Sequence, residues 1–226
     1  MVTKVYLVRH CQSMGNIEKR FQGQYDADIS PDGEKQLALL GLRFRNEPID
    51  KIYTSPLGRA KLTALAISQY HPEIPVIEEP GMIEIHCGEM ENLPLSEIGV
   101  KFPTAARHWD ESPDLCEFPN GEKMPEVYAR VNEALDRIIR ENEGKAVVIT
   151  THGGVLRNLY ARITYGNLQG IRNTQIFGNT SVSLLTAEDG ALSWAFVNDN
   201  SHLPQEMRRP PTYYKFSEAI KENEPV

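Results

Sequence analysis

Arg9, His10 and Cys11 stand in succession at the end of an apolar run, in "VYLVRHCQSMGN" (residues 5–16). Three chemistries begin from such a cluster: a histidine nucleophile, a cysteine nucleophile, or the first ligands of a metal site. A cysteine that attacks phosphate needs an arginine six residues downstream, so that one tight loop cradles the anion. Cys11 has Ile17 at that offset, Cys87 has Leu93 and Cys116 has Glu122, so all three fail. A zinc site drawn from His10, Cys11, His86, Cys87 and His152 lacks the Cys-x-x-Cys or His-x-x-x-His pairs that make such sites specific. Adjacent strand residues also point to opposite faces, so His10 and Cys11 would not chelate one ion. No metal is expected. The histidine reading gains from its company: Arg9, Asn16 and Arg59 are donors suited to phosphate oxygens, and His152 is a further one. His71, His108 and His202 lack such neighbours and read as structural.

Strands and helices must alternate to bring these residues together. "KVYLV" (4–8) is a short apolar run of buried-strand type, and "KIYTSP" (51–56) a second. "SPDGEKQLALLGLRFRN" (30–46) opens with Ser30 as N-cap and Pro31 at the first helical position, where a missing N–H costs nothing. "SPLGRAKLTALAISQYH" (55–71) repeats the Ser-Pro start, with Leu62, Leu65 and Ala66 at helical spacing. Residues 123–142 form the clearest helix, with Val127, Val131, Leu135, Ile138 and Ile139 on one face. "KAVVITTHGG" (145–154) is a buried strand ending at a Gly pair, followed by a helical stretch. Residues 181–198 read as a hairpin turned at Asp189-Gly190.

Such alternation predicts an α/β sandwich with a mainly parallel sheet, whose sites gather beyond the carboxyl ends of the strands. Arg9-His10, Ser55 to Arg59, and His152-Gly153-Gly154 all fall at such ends. Residues 80–125 break the pattern, with six prolines and no long periodic face, and read either as an irregular surface excursion or as a lid. The final "SEAIKENEPV" reads as a polar helix with a frayed tail. "MRRPPTYYKF" (207–216) fits either a packed tail or a partner surface.

The whole chain, 226 residues with 40% hydrophobic and 24% charged, is of ordinary soluble composition and large enough for a substantial core. A net charge of −7 argues against a general nucleic-acid or anionic-membrane binder. No apolar run nears the roughly 18 residues of a membrane span. "MVTKVYLV" lacks the features of a secretory leader, and three cysteines make no disulfide framework, so a cytoplasmic setting is expected.

Six segments, in order, carry a family resemblance: "LVRHCQSMGN", "FQGQYDADISPDGEKQ", "IYTSPLGRAKLTA", "MIEIHCGEMEN", "FPNGEKMPEVYARV" and "VVITTHGGVLRNL". Together they resemble the histidine phosphatase superfamily, also called phosphoglycerate mutase-like. The resemblance implies a single three-layer α/β/α domain over 1–226, a lid at about 80–125, and no metal or cofactor. It implies His10 as the nucleophile that becomes phosphohistidine, and Glu84 as the acid that protonates the leaving oxygen. Arg9, Asn16, Arg59 and His152 are then the phosphate pocket, with Gln22, Gly23 and Gly153 beside the bound group. Phosphoryl transfer needs in-line placement and charge stabilisation above all, which clustered cations supply.

The family holds phosphatases, mutases and non-catalytic members. Mutase members usually carry Trp where this chain has Gly15. Residues 84–122 hold nine Asp and Glu against Lys101 and Arg107, which should repel a second anionic group. A phosphatase for small phosphomonoesters, of sugar or nucleoside monophosphate type, is therefore expected, with a mutase or a phospholigand-binding protein as alternatives. Cys11 replaces the usual Gly after Arg-His. It reads as a tolerated small residue, or else as a thiol whose pKa the arginines lower, making activity oxidant-sensitive.

Overall fold

The computed structural model describes residues 1–208, 215 and 216. The expected polar helix at 217–226 lies outside the described residues. In chain order the elements begin β1 (Thr3–Arg9), α1 (Met14–Ile17), β2 (Arg20–Phe21), α2 (Pro31–Phe44), β3 (Lys51–Thr54), α3 (Gly58–Ser68) and β4 (Val76–Glu78). They continue with β5 (Leu93–Pro94), α4 (Leu95–Lys101), α5 (Pro103–Glu111), α6 (Met124–Glu141), β6 (Ala146–Thr151) and α7 (Gly153–Tyr165). The hairpin β7 (Val182–Glu188) and β8 (Ala191–Asp199) closes the described fold.

A six-stranded sheet runs β4-β3-β6-β1-β7-β8, with the first four strands parallel and the hairpin antiparallel. β1 and β6 sit at its centre, paired in register from Lys4 opposite Ala146 to Arg9 opposite Thr151. Both faces of β1 are covered, which explains its unbroken apolar run. Val5 and Leu7 pack with α6 and α7, while Tyr6 and Val8 pack with α2 and α3. The result is the expected three-layer sandwich.

Local chemistry sets the helix ends. The Ser30 hydroxyl accepts from Gly33 N at 2.9 Å and Pro31 occupies the first turn of α2. On α6, Val127, Val131, Leu135 and Ile138 are all buried, each contributing about 1.5–3 kcal/mol against exposure. At the hairpin, Asp189 and Gly190 have φ of 49° and 81°, the paired positive values of a type I′ turn.

Three expectations are corrected. Leu62 and Leu65 are exposed, and α3 buries Ala60, Thr63, Ala64 and Ile67 instead. Nor does Ser55 cap that helix, which starts three residues later. Residues 80–125 are less irregular than expected, since they contain α4, α5 and three 3₁₀ turns. These helices span seven and nine residues, too short for a visible periodicity, and Pro103 starts α5 rather than breaking it. Among the described residues no helix is long and apolar enough to cross a membrane.

Candidate active site

Three parallel strands end side by side. β1 delivers Arg9 and His10, β3 leads through Ser55 to Arg59 in the first turn of α3, and β6 leads to His152 and Gly153. A cavity of about 140 Å³ opens at this edge, walled by Arg9, His10, Asn16, Arg59, Glu84 and Gly153. Gln22 and Gly23 line it as well. His152 does not reach the wall. It is fully buried behind His10, with ring centroids 5.2 Å apart.

His10 Nδ1 lies 2.6 Å from the Cys11 carbonyl oxygen. A carbonyl only accepts, so Nδ1 carries the proton and Nε2 keeps its lone pair. Burial pushes the His10 pKa well below the usual imidazole range, and the Arg59 and Arg9 charges push it further. The ring is therefore neutral, as a nucleophile must be. His152 is depressed for the same reasons, burial first and then Arg59. Its Nε2 sits 2.7 Å from the Ser55 hydroxyl, while its buried Nδ1 has no hydrogen-bond partner.

Arg59 is buried, and each terminal nitrogen is committed. Nη1 donates to the Tyr25 carbonyl at 2.8 Å and to Asp26 Oδ1 at 3.3 Å, and Nη2 donates to the Gly23 carbonyl at 2.7 Å. Its buried Nε is left without a partner. Burial lowers the Arg59 pKa, an effect opposed by Glu84 and Asp26. Arg9 is gripped from the other side, its Nη1 donating to the Phe177 carbonyl and its backbone N–H to the Ser181 carbonyl.

Glu84 is aimed by the backbone. Its Oε1 accepts from Ile85 N at 3.0 Å and its Oε2 from Gly154 N at 3.1 Å, in the first turn of α7. A Cβ at Gly154 would stand 2.5 Å from Oε1 and 2.6 Å from Ile85 Cδ1, so only glycine allows this approach. The Glu84 main-chain oxygen accepts from Gln24 Nε2 at 3.0 Å and Arg130 Nη2 at 3.1 Å. Arg130 also reaches the carbonyls of Gly81 at 3.1 Å and Ile83 at 2.8 Å. Its ion pair with Glu122, at 2.6 Å, completes the clamp.

Sequence reasoning placed Ser55 in a strand-end cluster without its partner, and missed Arg130 and Asn179. An arginine beside Val131 in a strongly amphipathic helix was a usable flag for Arg130. Asn179 carried no signal, because its partners lie far away in the chain.

The oxidant-sensitive reading of Cys11 is corrected. The side chain is fully buried, and burial pushes the thiol up to about 11, outweighing the lowering by Arg59. The electrostatic argument from residues 84–122 is corrected too. Glu91 caps the backbone N–H groups of Gln24 and Cys87, at 3.1 and 3.0 Å. Asp114 pairs with Arg172 at 2.6 Å and Glu97 with Lys101 at 2.6 Å. Of the nine carboxylates only Glu84 lines the cavity, whereas three cations, Lys19, Arg20 and Arg157, line it too, Arg20 in an ion pair with Glu18 at 2.8 Å.

The strand order, the neutral histidine and the arginines around it define a phosphoryl-handling α/β protein. The profile of the histidine phosphatase superfamily (branch 1) matches residues 5–200, and the chain belongs to that superfamily. It is 37% identical over 207 residues to a metal-independent phosphoserine phosphatase of Arabidopsis thaliana, covering 89% of this chain and 84% of that one. It is 36% identical over 162 residues to phosphoserine phosphatase 1 of Hydrogenobacter thermophilus, covering 72% of this chain and 76% of the relative. Among solved structures, YhfR of Bacillus stearothermophilus superposes with a TM-score of 0.84 at 32% identity, covering 88% of this chain and 98% of that one.

Proposed function

We propose that the chain is a metal-independent phosphatase of small phosphomonoesters, working through a phosphohistidine on His10 Nε2. The observation that carries this reading is the Nδ1–H bond to the Cys11 carbonyl, which leaves Nε2 as the unprotonated nitrogen of a cavity-lining ring. In the first step Nε2 bonds to phosphorus as the phosphorus–oxygen bond of the ester breaks, and Glu84 gives its proton to the leaving oxygen. In the second step water attacks the phosphohistidine, Glu84 takes the proton, and inorganic phosphate leaves. Arg9, Arg59 and Asn16 hold the phosphoryl oxygens, with Gln22, Gly23 and Gly153 beside them. His152 supports His10 from behind. The unit is one domain over 1–226, with residues 80–125 as its lid.

The lining cations Lys19, Arg20 and Arg157 add carboxylate-bearing leaving groups, phosphoserine among them, to the sugar and nucleoside monophosphates. They also suit a mutase, which must hold a second anion. A panel ranked by kcat/KM separates these, with phosphate release set against interconversion of 2- and 3-phosphoglycerate. The three buried thiols form no disulfide among the described residues, which favours a cytoplasmic setting.

The mechanism is tested by trapping. Brief exposure to ³²P-labelled substrate should label wild-type protein and leave His10→Ala unlabelled and inactive. Glu84→Gln should lose roughly 10²–10⁴-fold on an alkyl phosphate and much less on nitrophenyl phosphate. A labelled, active His10→Ala would end the nucleophile assignment, and equal Glu84→Gln losses would end the acid assignment.

A further inference from the structure

We propose that Asn179 is a positioning residue that sets which end of the Asn16 amide faces the anion site. The inference rests on the reading of Asn16 as a phosphate ligand and deepens it. An asparagine side chain has one accepting end and one donating end, and its shape does not distinguish them; the surrounding hydrogen bonds decide. Two N–H donors converge on Asn16 Oδ1, and the Ser13 hydroxyl stands beside them with one proton to divide between this oxygen and Gln22 Oε1. Ser13 N lies at 3.1 Å, Ser13 Oγ at 3.1 Å and Asn179 Nδ2 at 3.3 Å. Reversing the amide would set its NH₂ against two N–H donors at once. The oxygen is held away, so the Asn16 NH₂ is the group left for the cavity that this residue lines.

Ser13 N is fixed by its own backbone, and the Ser13 hydroxyl is shared with Gln22 Oε1 at 2.7 Å. Asn179 is the one member whose side chain comes from a distant loop. That loop backs three site residues. The Phe177 carbonyl accepts from Arg9, and the His10 carbonyl accepts from Thr180 N at 3.3 Å and Asn179 Nδ2 at 3.1 Å. It is anchored in turn to β8, where Asn198 Oδ1 accepts from Gly178 N at 2.8 Å and Asn198 Nδ2 donates to the Ile176 carbonyl at 3.1 Å. Asn179 thus couples the antiparallel end of the sheet to the donor geometry around His10.

Asn179→Asp tests this, because a carboxylate accepts where the amide donated. It should draw the Asn16 NH₂ toward itself and turn Oδ1 into the cavity. Asn179→Leu removes the bond without adding charge. The readout is the inhibition constant for inorganic phosphate, measured with thermal stability for both single variants, for Asn16→Ala and for the double variants. Loss of one hydrogen bond to an anion corresponds to about tenfold. Asn179→Leu and Asn16→Ala should each weaken phosphate by about that factor, and Asn179→Asp by more. Asn179→Leu combined with Asn16→Ala should be no worse than Asn16→Ala alone, since both act through one amide. Additive effects in this cycle would overturn the proposal, and so would phosphate binding by Asn179→Leu equal to wild type. Thr180 N still holds the His10 carbonyl in either variant, so the loop keeps its anchor. If Asn16→Ala binds phosphate normally, the proposal fails while the His10 mechanism stands. If the His10→Ala trapping result fails instead, the cycle still reports on the anion site.

Discussion

At the residue scale, burial decides what each reactive group does, and it acts in opposite senses on His10 and Cys11. Both are buried beside Arg59. For an imidazole, burial and the neighbouring cations agree, since each disfavours a positive charge, and the ring is held neutral. For a thiol they disagree, because burial disfavours the thiolate while a cation favours it, and burial wins. The same holds for the other thiols: burial pushes Cys116 up to about 12 and Cys87 well above its usual value. With a pKa near 11, only roughly one Cys11 in three thousand is thiolate at pH 7.5. Iodoacetamide at that pH should therefore leave the folded protein active and unlabelled at all three positions, with three adducts appearing only in denaturant. Stoichiometric labelling of Cys11 in the folded state, with loss of activity, would refute this ordering.

At the element scale, helix α6 does more than fill the core. From its outer edge Arg130 binds the carbonyls of Gly81, Ile83 and Glu84 and the Glu122 carboxylate. One guanidinium thus makes the largest share of the side-chain bonds to the loop carrying Glu84, beside those from Gln24 and Thr151. Against the opposing effect of burial, hydrogen bonds from Arg130 hold the Glu122 carboxyl below its usual range. Arg130→Met should cost about 2 kcal/mol, between the values for exposed and buried pairs. For a chain of this size that lowers Tm by about 4–8 °C in a thermal melt. Activity on alkyl phosphates should fall more than activity on nitrophenyl phosphate, because the acid loses its aim. A variant with unchanged Tm would show that the clamp is dispensable. Arg130 also marks how far sequence reading goes. The strands β1, β3, β6 and the β7–β8 hairpin, with α2, α6 and the strand-end clusters, were legible, because each is a local pattern of apolar period, cap or turn, whereas β2, β4 and β5 are two or three residues long and show none. Hence Arg9, His10, Arg59 and Gly153 could be assigned to one edge before any coordinates. Glu84 could be placed only through resemblance, since its loop has no period. The contacts of Ser55 with His152 and of Asn179 with Asn16 span 97 and 163 residues, and no local pattern encodes them.

At the scale of the whole molecule, the fold holds several histidines uncharged, and this sets its response to acid. His10 and His152 are depressed by burial and by arginines. His202, behind the β8 end of the sheet, is pushed down to about 4 by burial and by Arg43, with Asp199 opposing. The sign follows from proton counting. Below about pH 6.5 the unfolded chain protonates these rings while the folded chain does not, so the unfolded state binds more protons. Stability is fully present above the unfolded value and is lost as pH falls from about 6.5 toward the folded values, which for His202 means about 4. Denaturant melts at pH 7.5, 6, 5 and 4.5 should show unfolding free energy nearly level at the top of this range and falling steadily below it. His202→Gln keeps a neutral polar side chain and removes one of the three titrations, so its curve should fall less steeply between pH 6 and pH 4.5. For a partly exposed ring the difference should be roughly 1 kcal/mol after allowance for solvent screening. A wild-type curve that rises toward acid, or a His202→Gln curve that runs parallel to it, would contradict the assignment of a buried neutral ring.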